Sequence, residues 1–138
     1  MNSTPPDGGG PPTAPPAFPP RPLRDVVALY AFQSGCPADF ARVTLDFEPW
    51  EEGLAYEVAA THTVRGHVEP GELAEFHEAL VEGVREELAV ALDAGTAVAA
   101  MVVLHDTRIH EVDSKVGSFR EAGRRAVRRA VLMAYGPK

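Results

Sequence analysis

Apolar and polar positions along this chain mark out six elements. Val26 to Phe32 is a short apolar run rich in strand formers and predicts a first strand. Gly35 and Pro37 end it with a turn signal between Gln33 and Asp39. Ala41, Val43, Leu45 and Phe47 then alternate with Arg42, Thr44, Asp46 and Glu48, the pattern of a strand with one wet face. These two segments read as an antiparallel hairpin. After a loop over 49–53, Leu54, Tyr56, Val58, Ala60, His62 and Val64 alternate with smaller or polar residues and predict a third strand. His62 falls on its apolar side, where a satisfied core or rim histidine is a simpler reading than a ligand.

The strongest period is helical. Leu73, Phe76, His77, Leu80, Val81, Val84, Leu88 and Leu92 follow the spacing of one helix face, with Pro70 near the first turn and Gly95 as the stop. Such a helix of about 22 residues is about 33 Å long. Glu72, Glu75, Glu78, Glu82, Glu86 and Glu87 lie mostly off the apolar stripe and read as a solvated face rather than a metal or acid–base cluster. Val98 to Leu104 is continuously apolar, as expected of a strand central in its sheet. Residues 104–114 then read as the strand's end, an exposed loop tip and a helix cap supplied by Asp113 or Ser114. In the last helix Phe119, Ala122, Gly123, Ala126, Val127, Ala130, Val131 and Ala134 make a small-residue stripe suited to close packing. Arg120, Arg124 and Arg128 share another face, flanked by Arg125 and Arg129. The order β-β-β-α-β-α predicts an α+β two-layer sandwich with the helices on one face of the sheet.

Composition sharpens the boundaries. The 138 residues suit one domain. Residues 1–22 hold nine of the 13 prolines and a Gly8-Gly9-Gly10 run, so they read as a disordered tail ahead of a domain over 23–138. Pro16-Ala17-Phe18-Pro19 is a loose match to a proline-rich ligand motif, and a solvated leader is the simpler reading. Formal net charge is −7, against bulk attraction to nucleic acid or membrane. The charge is unevenly spread: Lys115 to Lys138 contains seven basic residues and one acid. No apolar run approaches the ~18 residues of a membrane span, and no signal-peptide pattern opens the chain. With Cys36 as the single cysteine, nothing points to an oxidising compartment, and a cytoplasmic protein is expected.

Candidate chemistry is thin. Neither phosphate-cradling glycine pattern is present, so no nucleotide is expected. His110, Asp113 and Ser114 invite a hydrolase triad, but adjacency in sequence is not triad geometry. Cys36 could act with a nearby histidine, although a lone cysteine is usually inert. His62, His67, His105 and His110 fit no zinc spacing. No cofactor or metal is expected.

Three stretches together resemble domain IV of translation elongation factor G. Leu104-His105, Ile109-His110-Glu111-Val112-Asp113-Ser114 and Phe119 follow one of its motifs. Gln33-Ser34-Gly35, Phe40, Val43, Leu45-Asp46 and Glu48-Pro49 follow a second. Leu73, Ala79-Leu80, Gly83-Val84 and Leu88 keep step with the helix between them. The likeness runs over about residues 24–134. It implies that fold, and a non-catalytic role, because GTP hydrolysis sits in a separate domain of the factor. Domain IV there is the arm that reaches the decoding region of the small ribosomal subunit, with two loops at its tip. By position, Gln33, Ser34 and Gly35 open one tip loop and His110 is the histidine of the other. Arg108 and Lys115 flank that histidine, and Arg120, Arg124, Arg125, Arg128 and Arg129 offer a basic face. The chain departs from the family at Cys36-Pro37-Ala38-Asp39, where further glycines, an arginine and a glutamine are usual. Two functions follow from the resemblance: binding to the small ribosomal subunit or its RNA through the tip, or a non-ribosomal protein-interaction module that has kept only the scaffold.

Overall fold

The structure is a computed structural model describing residues 16–32, 39–111 and 113–137. Its centre is strand β5 (Ala97–Arg108), paired on one edge with β3 (Asp39–Pro49) and on the other with β4 (Gly53–Arg65). β3 in turn pairs antiparallel with β2 (Leu23–Phe32), and a two-residue strand β1 (Ala17–Phe18) runs parallel to the first residues of β5. Helix α1 (Pro70–Ala91) crosses from β4 to its parallel neighbour β5, and α2 (Val116–Tyr135) follows β5. The predicted α+β sandwich is thus present, with one short strand added ahead of it.

The alternation in the sequence decides which face is covered. Val26, Ala28, Ala41, Val43, Leu45, Phe47, Val102 and Leu104 form one core with Phe76, Leu80, Val84 and Leu88 of α1 and Phe119, Ala122, Ala126 and Val127 of α2. Full burial of each large side chain contributes roughly 1.5–3 kcal/mol. The two helices meet at glycines. A Cβ on Gly83 would lie 1.9 Å from the Arg120 carbonyl oxygen, and one on Gly123 would lie 2.1 Å from that of Leu80. The small-residue stripe of α2 is therefore what lets the helix backbones touch.

Several expectations shift. Phe18 is fully buried and packs edge-on against Phe47 at 5.7 Å, so this part of the expected tail contributes to the core. The same burial removes Pro16-Ala17-Phe18-Pro19 as an exposed ligand motif. α1 ends at Ala91 with Leu92 as its cap, and Gly95 sits in the turn beyond, at φ 92°. β4 is an edge strand with most residues exposed, although apolar and polar positions alternate along it. β5 runs four residues past Leu104 and takes in His105 to Arg108, which the sequence placed in an exposed loop.

An irregularity explains that last difference. Leu45 pairs with Leu104, and the next pair along is Thr44 with Asp106, so His105 is an extra residue in β5. A bulge of this kind changes which side of the sheet later residues face. Leu104 and Thr107 are both fully buried, while His105 and Asp106 between them bind groups on the open face.

Candidate functional site

The end of the sheet where β5 gives way to α2 holds the predicted tip. Ile109 is buried and its N–H donates to the Arg65 carbonyl at 2.7 Å. β4 can approach this closely only because residue 66 is glycine: its φ is +107°, and a Cβ there would lie 2.2 Å from the Ile109 oxygen. From that anchor the chain turns tightly. The Asp113 and Ser114 N–H groups donate to the His110 carbonyl at 3.0 and 2.8 Å. Ser114 Oγ accepts from the His110 N–H at 3.0 Å and donates to the Phe40 carbonyl at 2.7 Å. Phe40 N–H donates back to the Asp113 carbonyl at 3.1 Å. The turn is therefore stitched to the start of β3 by two bonds running in opposite directions.

His110 lies on the Phe40 ring, with centroids 3.6 Å apart and planes 7° off parallel. Its side chain is about one-third exposed, and Nδ1 is 3.8 Å from Asp113 Oδ2. The Ser114 hydroxyl is engaged with backbone on both sides, so these three residues do not form a triad. Nor does Asp113 or Ser114 cap α2. That position is Lys115, whose N–H donates to Ser118 Oγ at 3.2 Å. The bonds tying the turn to β3 take Ser114 away from the helix end.

Gln33, Ser34, Gly35 and Cys36 lie outside the described residues. The residues bracketing them, Phe32 and Asp39, are paired with each other. That pair lies at the end of the β2–β3 ladder next to Phe40, on which His110 stacks. Asp39 binds Lys115 Nζ at 3.2 Å and accepts from Ser118 Oγ at 3.2 Å. The acid that departs from the family pattern therefore sits against one of the predicted tip cations.

Arg108 brings a feature that the linear sequence hides. It closes β5, and its register partners are Arg42 on β3 and Arg65 on β4. Three arginines thus stand side by side across adjacent strands. Like charges opposite one another destabilise a sheet. Asp106 relieves this in part, lying 3.4 Å from Arg65 Nε and 4.0 Å from Arg42 Nη1. Arg108 has no ion pair among the described residues. No motif flags Arg42 or Arg65; only strand register joins them to Arg108.

The predicted basic face of α2 is largely consumed inside the molecule. Arg120 and Arg124 both bind Glu86, and Arg128 binds Glu87 at 3.2 Å and Glu121 at 3.5 Å. The Arg120 and Arg124 hydrogen bonds hold the Glu86 carboxyl down at about 2. Arg125 binds Glu121 at 3.4 Å and lies over the Tyr30 ring at 5.0 Å. Only Arg129 of this set lacks an ion pair among the described residues. The acidic off-stripe face of α1 and the basic face of α2 thus pair with each other.

Three further histidines are bonded within the fold. His62 Nε2 and His77 Nε2 approach Thr107 Oγ1 at 2.8 and 3.0 Å, so a single buried hydroxyl donates to one ring and accepts from the other. His105 Nε2 pairs with Asp46 Oδ2 at 2.7 Å, and Asp46 Oδ1 accepts the Asp25 N–H at 2.9 Å. Among the described residues no group of three or more His, Cys, Asp or Glu is placed to hold a metal ion, and no helix is long and apolar enough to cross a membrane.

Residues 20–135 match the model of elongation factor G, domain IV. Elongation factor G of Dehalococcoides mccartyi strain BAV1 is 34% identical over 103 residues, which are 74% of this chain and 14% of that protein. The factor from strain 195 of the same species is 35% identical over the same shares. A crystal structure from Thermus thermophilus superposes with a TM-score of 0.59 at 25% identity, over 83% of this chain and 17% of the other. The chain thus spans about one-seventh of its curated relatives, and the match over residues 20–135 decides its family: it belongs to the elongation factor G domain IV family.

Proposed function

We propose that this domain is a non-catalytic binding module of the cytoplasmic translation apparatus, whose tip contacts RNA of the small ribosomal subunit. The row Arg42, Arg108 and Arg65 beside the stacked His110 carries this reading. It sets three guanidiniums beside the His110 turn, although the chain as a whole carries −7. Phosphate contacts dominate RNA affinity, and unpaired guanidiniums are suited to make them. Arg108, with no ion pair among the described residues, is suited in this way. The His110 ring is about one-third exposed and held by its stack on Phe40, and a flat ring can stack on an unpaired base.

The test is co-sedimentation of the tagged chain with small subunits across a salt series. Binding should weaken steeply with salt, and Arg108→Ala should lower the slope of log K against log salt by roughly 0.7–0.9 for each phosphate that Arg108 neutralises. Unaltered co-sedimentation of Arg108→Ala and His110→Ala would rule out the tip as the contact.

A second reading rests on Asp39. Its carboxylate occupies Lys115 and Ser118, which removes a cation from the tip. This favours a module that has kept the scaffold and binds a protein instead. A pull-down returning one specific protein and no ribosomal component would select it.

A further inference from the structure

The open edge of β2 is a second surface, remote in sequence from the tip histidine. Among the described residues β2 is paired only with β3. Arg125 Nη1 donates to the Leu29 carbonyl at 3.3 Å, so the backbone of Leu29 faces away from β3. Antiparallel strands turn alternate residues to alternate edges, so Val27 and Ala31 face the same way as Leu29. Leu29 is 47% exposed. Beside this edge runs a groove of about 470 Å³ lined by Val27, Ala28, Leu29, Arg125, Arg128 and Arg129. Its guanidiniums are only partly offset: Arg125 and Arg128 share Glu121, Arg128 also binds Glu87, and Arg129 has no ion pair among the described residues.

Unpaired strand edges are templates for another strand, and proteins close them with charge or a covering element. Here, among the described residues, the closure is one arginine–carbonyl bond in a cationic surround. A second copy of this chain would bring the two arginine rows face to face across an antiparallel β2–β2 pair. An RNA strand could meet the arginines but would leave the main-chain groups and Leu29 unused. An extended acidic polypeptide satisfies both. Its main chain would continue the sheet, and residues two apart on a strand project to the same face about 6.7 Å apart. Arg125 and Arg129, one helical turn apart, are separated by about 6 Å along α2. We propose that the β2 edge and these arginines form a docking groove for an extended acidic segment of a partner protein, added to the sheet beside β2.

The probe is a fluorescein-labelled peptide of alternating glutamate and valine, titrated into the full chain and read by fluorescence anisotropy. Saturable binding is expected, weakening at least tenfold between low and high salt, with new amide-exchange protection at Leu29. Arg129→Glu and Leu29→Glu should each lower affinity at least tenfold, while His110→Ala leaves it unchanged. Both substituted side chains are exposed, so far-ultraviolet circular dichroism should confirm that the variants fold. Absence of binding at millimolar peptide, binding without protection of β2, or tighter binding of a single-stranded RNA of equal charge to the same arginines would overturn the proposal.

Discussion

The imidazole of His110 lies flat on the ring of Phe40, and Ser114 bridges the backbones of both residues through one hydroxyl. The exposed histidine of one turn is therefore oriented by a buried aromatic at the foot of the other. Phe40→Leu keeps an apolar side chain there but removes the flat platform. The fold should persist at a cost on the order of 1 kcal/mol. The His110 ring protons, shifted upfield by the Phe40 ring in the native chain, should move toward ordinary values in a proton NMR spectrum. Unmoved resonances would mean that the stack does not set the ring.

Ser114→Ala removes both bonds of that bridge and leaves the His110 N–H and the Phe40 carbonyl without this partner. Losses of this kind cost about 1–3 kcal/mol. We expect a lower thermal midpoint and faster amide exchange at His110. The α2 helix should be unaffected at its start, because its cap is Lys115.

At the helix crossing the expected penalty is larger. Ala at 83 or 123 would drive a methyl into a carbonyl oxygen of the facing backbone, at 1.9 or 2.1 Å. No side-chain rotation relieves such a contact, so the helices must separate. Overpacking costs typically about 1–3 kcal/mol, occasionally more. Gly83→Ala and Gly123→Ala should each lower the melting temperature by several degrees. Gly71→Ala, where a Cβ meets nothing within 4 Å, should not. Equal melting temperatures for all three would refute close approach at the crossing.

What could be read from the chain depended on how local each signal was. The helices were legible because their periods lie within single segments, and the small-residue stripe of α2 named its own packing face. The hairpin was legible because a run of strand formers precedes Gly35 and Pro37 and an alternating segment follows them. The extent of β5 was not, because His105 is an inserted residue and the alternation breaks there. Phe18 was missed because a single core residue among prolines carries no period. The arginine row was invisible for a further reason: Arg42, Arg65 and Arg108 become neighbours only through register. The α2 arginines misled in the opposite sense, because a charged stripe looks the same whether it faces water or an acidic helix.

Glu86 tests that helix pairing. Arg120 and then Arg124 depress its carboxyl to about 2 from an ordinary value of 4.5. A depressed carboxylate stabilises the fold above its unfolded value and loses that contribution as pH falls through the folded one. Glu86→Gln should therefore melt below the native chain at pH 7. The gap should close as pH falls from 4.5 toward 2. A gap independent of pH would show that packing, not charge, distinguishes the two.

His77 sets a second and separate pH window. It is 5% exposed, bonds Thr107 and meets the His62 ring edge-on at 5.3 Å. Burial, and next the charge of His62, push it down to about 4 from 6.5. The unfolded chain takes up this proton near 6.5, and the folded one only near 4. In that interval the unfolded state holds more protons, so stability is complete above about 6.5 and declines on acidification. At ~1.4 kcal/mol per unit, the loss across the interval is on the order of 3 kcal/mol at most. The urea midpoint of the native chain should fall between pH 7 and pH 5. His77→Gln keeps a polar group near the Thr107 hydroxyl but cannot take the proton, so its midpoint should fall less. If both chains lose stability in parallel over that range, the acid sensitivity belongs to another group and the buried histidine is merely packed.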